Sequence, residues 1–235
     1  MEHFLALLTP TESSALRLSL QVALCSSIAS LPFAVVAGYL LARRRFFGKW
    51  ILEILVDLPL VLPPVVTGYL LLVGFGPRGP IGSLLNDWTG VRLVFTWMGA
   101  ALASAVVSFP LMARAIRLAF EGVDPRYEMA ARSLGAGRFG AFFTVSLPLA
   151  RRGLVAGFML AFARSLGEFG ATIMVAGNIP GKTQTIPLAI YFAAESNDLS
   201  RAGLYVLLSS GITFALILWL NYWASSRSGG TKPAK

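Results

Sequence analysis

The sequence predicts an all-α integral membrane protein of about five transmembrane helices, with a cytoplasmic helical segment between the third and fourth. Three observations carry this. The 235-residue chain is 56% hydrophobic and only 13% charged, where soluble domains carry about 25% charged residues. Five apolar segments are long enough to cross a bilayer, which takes ~20 residues each. The basic residues also segregate into alternate connections between those segments, as the positive-inside rule requires. A chain of this length is expected to form one domain, a single transmembrane unit over residues 1–235.

The first apolar run covers about Ala15–Ala42 and contains Pro32. The N-terminus, MEHFLALLTPTESS, has no basic region and the run is long for a signal peptide, so it reads as a retained span. The second run, about Trp50–Phe75, holds Pro59, Pro63 and Pro64, and the third, about Leu93–Phe120, holds Pro110. Proline inside a spanning helix frees carbonyls that neighbouring helices or water must satisfy. Kinked helices of this sort suit a bundle around a pathway better than a simple anchor. The fourth and fifth runs cover about Leu154–Ala176 and Ala202–Trp223.

Orientation follows from the connections. Arg43–Arg45 and Lys49, the seven arginines from Arg114 to Arg152, and Arg227, Lys232 and Lys235 place fourteen basic residues on one side. Arg17, Arg78, Arg92, Lys182 and Arg201 place five on the other, which sets the N-terminus outside and the C-terminus in the cytoplasm. Trp50 and the Trp219/Tyr222/Trp223 cluster then mark the cytoplasmic interface, and Trp88 and Trp97 the external one. The net charge of +9 is therefore a topology signal, and nucleic acid is not an expected partner. The single cysteine, Cys25, excludes a disulfide framework within the chain.

Residues 121–152 form the longest cytoplasmic connection. Asp124 is placed to cap a helix that starts at Pro125, and Gly135 to end it. Phe139, Phe142, Phe143 and Val145 give a second helix an apolar face, and Pro148 is expected to break or kink the chain before the fourth span. The small residues Ala130, Ala131, Gly135, Ala136 and Gly137 between arginines allow two readings. One is an interfacial loop anchored on anionic lipid; the other is a knob that a cytoplasmic partner's cleft closes around. Spacing alone does not choose.

YEMAARSLGAGRFGAFFTVSLPLARR, residues 127–152, resembles the signature loop of ABC importer permeases: Glu-Ala-Ala, three residues, Gly, nine residues, Ile, one residue, Leu-Pro. Ala130, Ala131, Gly135, Leu147 and Pro148 hold their places. Met129 stands where the pattern has glutamate, and Glu128 lies one position earlier, about 100° around a helix. The resemblance implies that this loop inserts into a cytoplasmic ATPase subunit, so that any ATP is bound by that partner and the chain itself carries no cofactor.

RSLGEFGATIMVAGNIPGKTQTIPLAIY (164–191), LPLVLPPVVTGYLLL (58–72) and VVSFPLMARAIRLAFEGVD (106–124) extend the likeness to permease subunits of molybdate importers, over about residues 15–223. LGEFGA and GNIP also fit sulfate permeases. GKTQTIPLAIY and LPLVLPPVVTGYLLL favour molybdate, with tungstate as a chemically similar cargo. The implied assembly is two copies of this chain, two ATPases and an external molybdate-binding protein in the inner membrane, working by alternating access.

Arg164, Glu168 and Thr172 are spaced as one stripe on a continuous helix, with Ser165 beside it. Ionisable residues at membrane depth usually face a bundle interior or water. They are candidates for the pathway or its gate, against the alternative of a self-neutralising pair. Gly153, Gly157, Ala161 and Ser165 form a small-residue row suited to close helix contact, including one with a second copy. Ala163, Gly167 and Ala171 form another. Glu53 and Asp57 are expected to meet basic residues of neighbouring loops. AGNIPGKT, residues 176–183, misses the phosphate-loop pattern at its first glycine and lacks a preceding strand. Asn178, Gly181 and Thr183 read instead as an external turn or gate. Two other classes compete. An intramembrane enzyme using Glu168 finds no partner histidine except His3 and no G-x-S-x-G, and a membrane scaffold gives the broken helices and buried charges no purpose.

Overall fold

Proline and a tight cap set where the first helix begins. In the computed structural model, which describes residues 9–225, α1 runs Pro10–Arg43 with Pro10 at its first position, and Glu12 accepts from the Thr9 N–H at 2.8 Å. Such a carboxylate satisfies a backbone donor that the first turn leaves orphaned. Pro32 lies within α1 without ending it.

The second apolar run is not one helix. α2 (Lys49–Val61) and α3 (Pro64–Phe75) are turned 113° from each other. Leu62 and Pro63 lie between them, both with extended ψ, 139° and 137°. Each precedes a proline, whose Cδ disfavours the helical region in the residue before it, so Pro63-Pro64 forces two consecutive extended residues into the membrane segment. The connection to the third span contains α4 (Pro80–Thr89), a short helix ended by Gly90 at φ 69°.

α5 (Trp97–Glu121) is capped by Thr96, whose hydroxyl accepts from the Gly99 N–H at 3.3 Å. The basic segment follows as α6 (Pro125–Ser133) and α7 (Arg138–Ala141). A π-helical turn over Phe142–Ser146 then leads into α8 (Leu147–Leu166). The expected break at Pro148 is absent. Proline cannot donate to the carbonyl four residues back and crowds it. Here the turn before it widens, with the Leu147 N–H bonded to the Phe142 carbonyl, and the helical path continues. α9 (Gly170–Ala176), α10 (Ile186–Glu195) and α11 (Leu199–Ser225) complete the chain.

Four of these stretches are long and apolar enough to cross a membrane, and α2 with α3 passes the same test as one bent pair, for up to five. The fourth apolar path starts earlier than expected, at Arg138, and stops at Leu166. Residues 167–169 separate it from α9. The side chains of Trp219, Tyr222 and Trp223, and residues Arg227, Lys232 and Lys235, lie outside the described residues.

The core sits where α1, α5 and α8 meet. Ala34, Ala37 and Leu41 of α1 pack with Met112, Ile116 and Phe120 of α5 and with Ala150 and Ala161 of α8. Small residues set the spacing. A Cβ on Gly153 would stand 2.1 Å from the Ala119 Cβ, and one on Gly38 would stand 2.9 Å from the Ile116 side chain. Apolar side chains are no better off against each other than against lipid tails, so such close approach and interhelical hydrogen bonds hold the helices together. The row Gly153, Gly157, Ala161 and Ser165 is thus used within the chain, against α5 and α1, rather than left for a second copy. The second row is split by the break: Ala163 and Gly167 are exposed, while Ala171 is buried where α9 meets α3.

Candidate functional site

The basic segment folds as its local chemistry dictates. Asp124 Oδ1 accepts from the Arg126 N–H at 2.8 Å, capping α6, and Pro125 occupies its first position. At the other end Gly135 takes φ 95°. Its N–H reaches the Arg132 carbonyl at 3.1 Å, and the Ala136 N–H reaches that of Ala131 at 3.0 Å. This pair of bonds is a complete Schellman closure, which requires the left-handed residue that glycine supplies. Ala130, Leu134 and Gly135 are exposed and Ala131 and Ala136 half-buried, so α6 and its turn present a small-residue surface. Pro148 is also exposed, and Leu147 is half-buried at the start of α8.

The carboxylate of this segment points inward. Glu128 Oε1 accepts from the Tyr39 hydroxyl at 2.9 Å, and Oε2 from the Ser146 hydroxyl at 3.2 Å. Met129, at the pattern's glutamate position, is 56% exposed. The offset of one residue therefore has a structural meaning: Glu128 ties α6 to α1 and to the π-turn, and Met129 occupies the outer face. Beneath them Tyr39, Phe120, Phe142 and Phe143 form a chain of aromatic contacts with centroids 4.8–6.0 Å apart. Arg43 donates to the Val123 carbonyl and closes the same corner.

Glu53 and Asp57 meet basic residues as expected, although these lie on α5: Arg117 at 2.9 Å and Arg114 at 2.8 Å. Arg117 also pairs with Glu121 at 2.8 Å.

The intramembrane charges sit at a break. The expected single stripe of Arg164, Glu168 and Thr172 is not on one helix, because α8 ends at Leu166 and α9 starts at Gly170. Arg164 Nη1 lies 2.8 Å from Glu168 Oε2, with the Glu168 side chain 1% exposed and that of Arg164 32% exposed. Glu168 Oε1 accepts from the buried Ala171 N–H at 2.8 Å. One carboxylate thus neutralises the arginine and caps the first turn of α9, where its charge also meets the favourable end of the helix dipole. The Thr172 hydroxyl is bonded to the Phe169 carbonyl at 2.9 Å, so it stabilises the same turn. α9 is held close by α3: a Cβ on Gly68 would stand 2.8 Å from the Ala171 Cα.

Ser165 has the role that sequence spacing missed. Its hydroxyl lies between two others, 3.1 Å from Ser26 on α1 and 3.2 Å from Ser108 on α5, all three buried. No helical spacing within one segment reveals a contact 139 residues apart. The available signal was the serine content of otherwise apolar spans.

The turn after α9 is bonded to itself. Thr183, buried, accepts from the Ile179 N–H at 2.9 Å, and the N–H groups of Lys182, Thr183 and Gln184 all converge on the Ile179 carbonyl. Gly177 and Gly181 take φ 68° and 75°. This is a compact turn whose threonine faces inward, not a cradle of outward amides for phosphate. Asn178 lies in it half-buried, and the segment is tied back to α1 by the Ile186 N–H on the Ser19 hydroxyl at 2.7 Å.

Residues 30–226 match the family described as binding-protein-dependent transport system inner membrane component. The chain is 51% identical over 227 residues to the molybdenum transport system permease protein ModB of Escherichia coli K12, covering 95% of this chain and 99% of that protein. A sulfate transport system permease protein, CysT of Salmonella typhimurium, is more distant: 35% over 212 residues, covering 90% and 76%. Among solved structures, a bacterial ABC transporter that imports the acidic polysaccharide alginate superposes with a TM-score of 0.75 at 15% identity, covering 97% of this chain and 84% of that one. A bacterial alginate ABC transporter in complex with an alginate pentasaccharide-bound periplasmic protein gives a TM-score of 0.73 at 16% identity, covering 99% and 85%. The chain belongs to the binding-protein-dependent family of inner-membrane transport components, as a multi-pass permease related to those of molybdenum transport.

Proposed function

We propose that this chain is the membrane-spanning subunit of an ATP-driven importer that carries molybdate into the cytoplasm. The observation that carries the cargo is the end-to-end 51% identity to a molybdenum-transport permease, against 35% to a sulfate one. Tungstate, similar in charge and shape, would share the route. Two copies form the pore, α6 of each seated in a cytoplasmic ATPase, and a molybdate-binding protein delivers cargo on the external face. The N-terminus is external and the C-terminus cytoplasmic, with α2 and α3 counted as one bent crossing.

ATP-driven closure of the partner subunits draws the two α6 helices together. The Tyr39–Glu128–Ser146 bonds pass that displacement to α1 and α8. At the far end of α8 the break at residues 167–169 lets α9 reorient against α3, and this is the gate. Arg164, Ser165, Glu168 and Thr172 serve there as hinge and pathway wall. With Arg164 neutralised by Glu168, this arginine adds no fixed excess of positive charge that would trap a divalent oxyanion.

The test is cellular molybdenum, measured by mass spectrometry in cells with and without the chain, grown at trace molybdate and ample sulfate. The expected result is a collapse in molybdenum that excess molybdate relieves, with sulfate growth unchanged. Unchanged molybdenum with impaired sulfate uptake overturns the cargo assignment and leaves the sulfate reading.

A further inference from the structure

A groove opens between the end of α1 and the π-turn, on the side that faces away from the core. Its volume is about 470 Å³ and its wall is almost wholly apolar. Val36 and Leu40 form one side and Phe139 and Phe143 the other, with Arg44 and Arg138 also on its lining. Phe139 is 83% exposed and Phe143 61%. Among the described residues neither arginine has a carboxylate within ion-pair distance, whereas Arg114, Arg117 and Arg164 each do. Arg44 also lines an adjoining cavity of about 320 Å³ beside Arg43, Arg132 and the Glu128 carboxylate, which is engaged by Tyr39 and Ser146; the Arg43 Nε there is buried without a hydrogen-bond partner.

We infer that this groove is a binding site for one anionic phospholipid per chain, the phosphate held by Arg44 and Arg138 and an acyl chain lying along Val36, Leu40 and Phe143. A soluble anion would engage the arginines but leave the phenylalanine wall against water. A protein partner would have to reach the flank of a spanning helix whose outward face stays apolar through Val36 and Phe33, 59% and 69% exposed. An acyl chain satisfies that face, and a phosphate satisfies two unpaired guanidinium groups at its end. The π-turn supplies the site, since it carries Phe143 in edge contact with Phe142 at 5.0 Å and Phe142 in turn packs on Tyr39. The lipid therefore bridges α1 and the basic segment on the same corner that Glu128 secures. The inference requires that the chain lies in the membrane, and it is independent of the cargo.

The full chain, purified with the subunits that accompany it and stripped of lipid, is offered phosphatidylglycerol or phosphatidylcholine of identical acyl chains and weighed by native mass spectrometry. Expected is one retained phosphatidylglycerol per chain in preference to phosphatidylcholine. In Arg44→Gln/Arg138→Gln the preference drops about thirtyfold, the scale that two interfacial arginines supply. Arg17→Gln/Arg201→Gln, at the opposite end, keeps it. Should the glutamine pair lower the melting temperature, Arg44→Lys/Arg138→Lys replaces it and is expected to keep most of the preference with the charge. Equal retention of the two lipids, an unchanged preference in Arg44→Gln/Arg138→Gln, loss of preference in a stable lysine pair, or displacement of phosphatidylglycerol by millimolar inorganic phosphate each overturns the site.

Discussion

The Tyr39 hydroxyl donates to Glu128 at 2.9 Å across 89 residues of sequence, joining the end of the first spanning helix to α6 of the basic segment. A hydrogen bond to a carboxylate is worth about 1.5–3 kcal/mol when buried. This one is partly exposed, which places it near the lower end.

Tyr39→Phe should cost about 1.5 kcal/mol and Glu128→Ala somewhat more, since it also loses the Ser146 bond, and the double variant should cost little more than Glu128→Ala alone. A double-mutant cycle on melting temperature reads the coupling directly. Fully additive losses would show that the two residues act separately. Transport is expected to fall further than stability if, as proposed, the tether passes motion as well as holding the fold.

Gly135→Leu should abolish molybdate uptake while the protein still reaches the membrane. A Cβ at Gly135 meets open space, so the cost is the φ of 95°, which side-chain-bearing residues resist. Gly135→Asn, a residue that tolerates this conformation, should recover much of the activity. Equal uptake by the leucine variant and the wild type would remove α6 from the proposed coupling.

Glu168→Ala leaves Arg164 unpaired and the Ala171 N–H without its acceptor, an expected loss of about 3 kcal/mol or more. Glu168→Gln keeps an oxygen for the amide and should lose less. Melting temperatures of the purified variants rank them, and a Glu168→Ala protein as stable as the wild type would sink the capping role.

Gly153→Leu should strongly reduce accumulation in the membrane, because its side chain would enter the space of Ala119 on α5. Overpacking costs typically 1–3 kcal/mol or more. Gly203→Leu, where a Cβ meets nothing within 4 Å, is the matched control and should accumulate normally. Quantitative immunoblots of the membrane fraction decide between them.

The apolar spans and the caps at Asp124 and Gly135 follow from rules that act over a few residues, and the structure carries them. What the sequence hid is of two kinds. Helix continuity is one: hydropathy is blind to the 113° bend at Leu62-Pro63, to the break at Gly167–Phe169 and to the widened turn that absorbs Pro148. Side-chain direction is the other. Nothing local says whether Glu128 faces a partner or Tyr39, or that the Gly153 row meets α5. Contacts of that sort exist only after the helices are assembled.

The three buried hydroxyls of Ser26, Ser165 and Ser108 give the bundle a lubricated seam. A hydroxyl is a rotor that donates once and accepts twice, and Ser26 and Ser108 each also reach a carbonyl of their own helix. When α8 shifts by a fraction of an ångström against α1 and α5, each oxygen can swivel to another acceptor without stranding a proton. An ion pair at that crossing would lock one alignment, and a wall of leucine would resist shear by interlocking. Serine would allow the helices to stay bonded in more than one alignment, as the proposed alternating access requires.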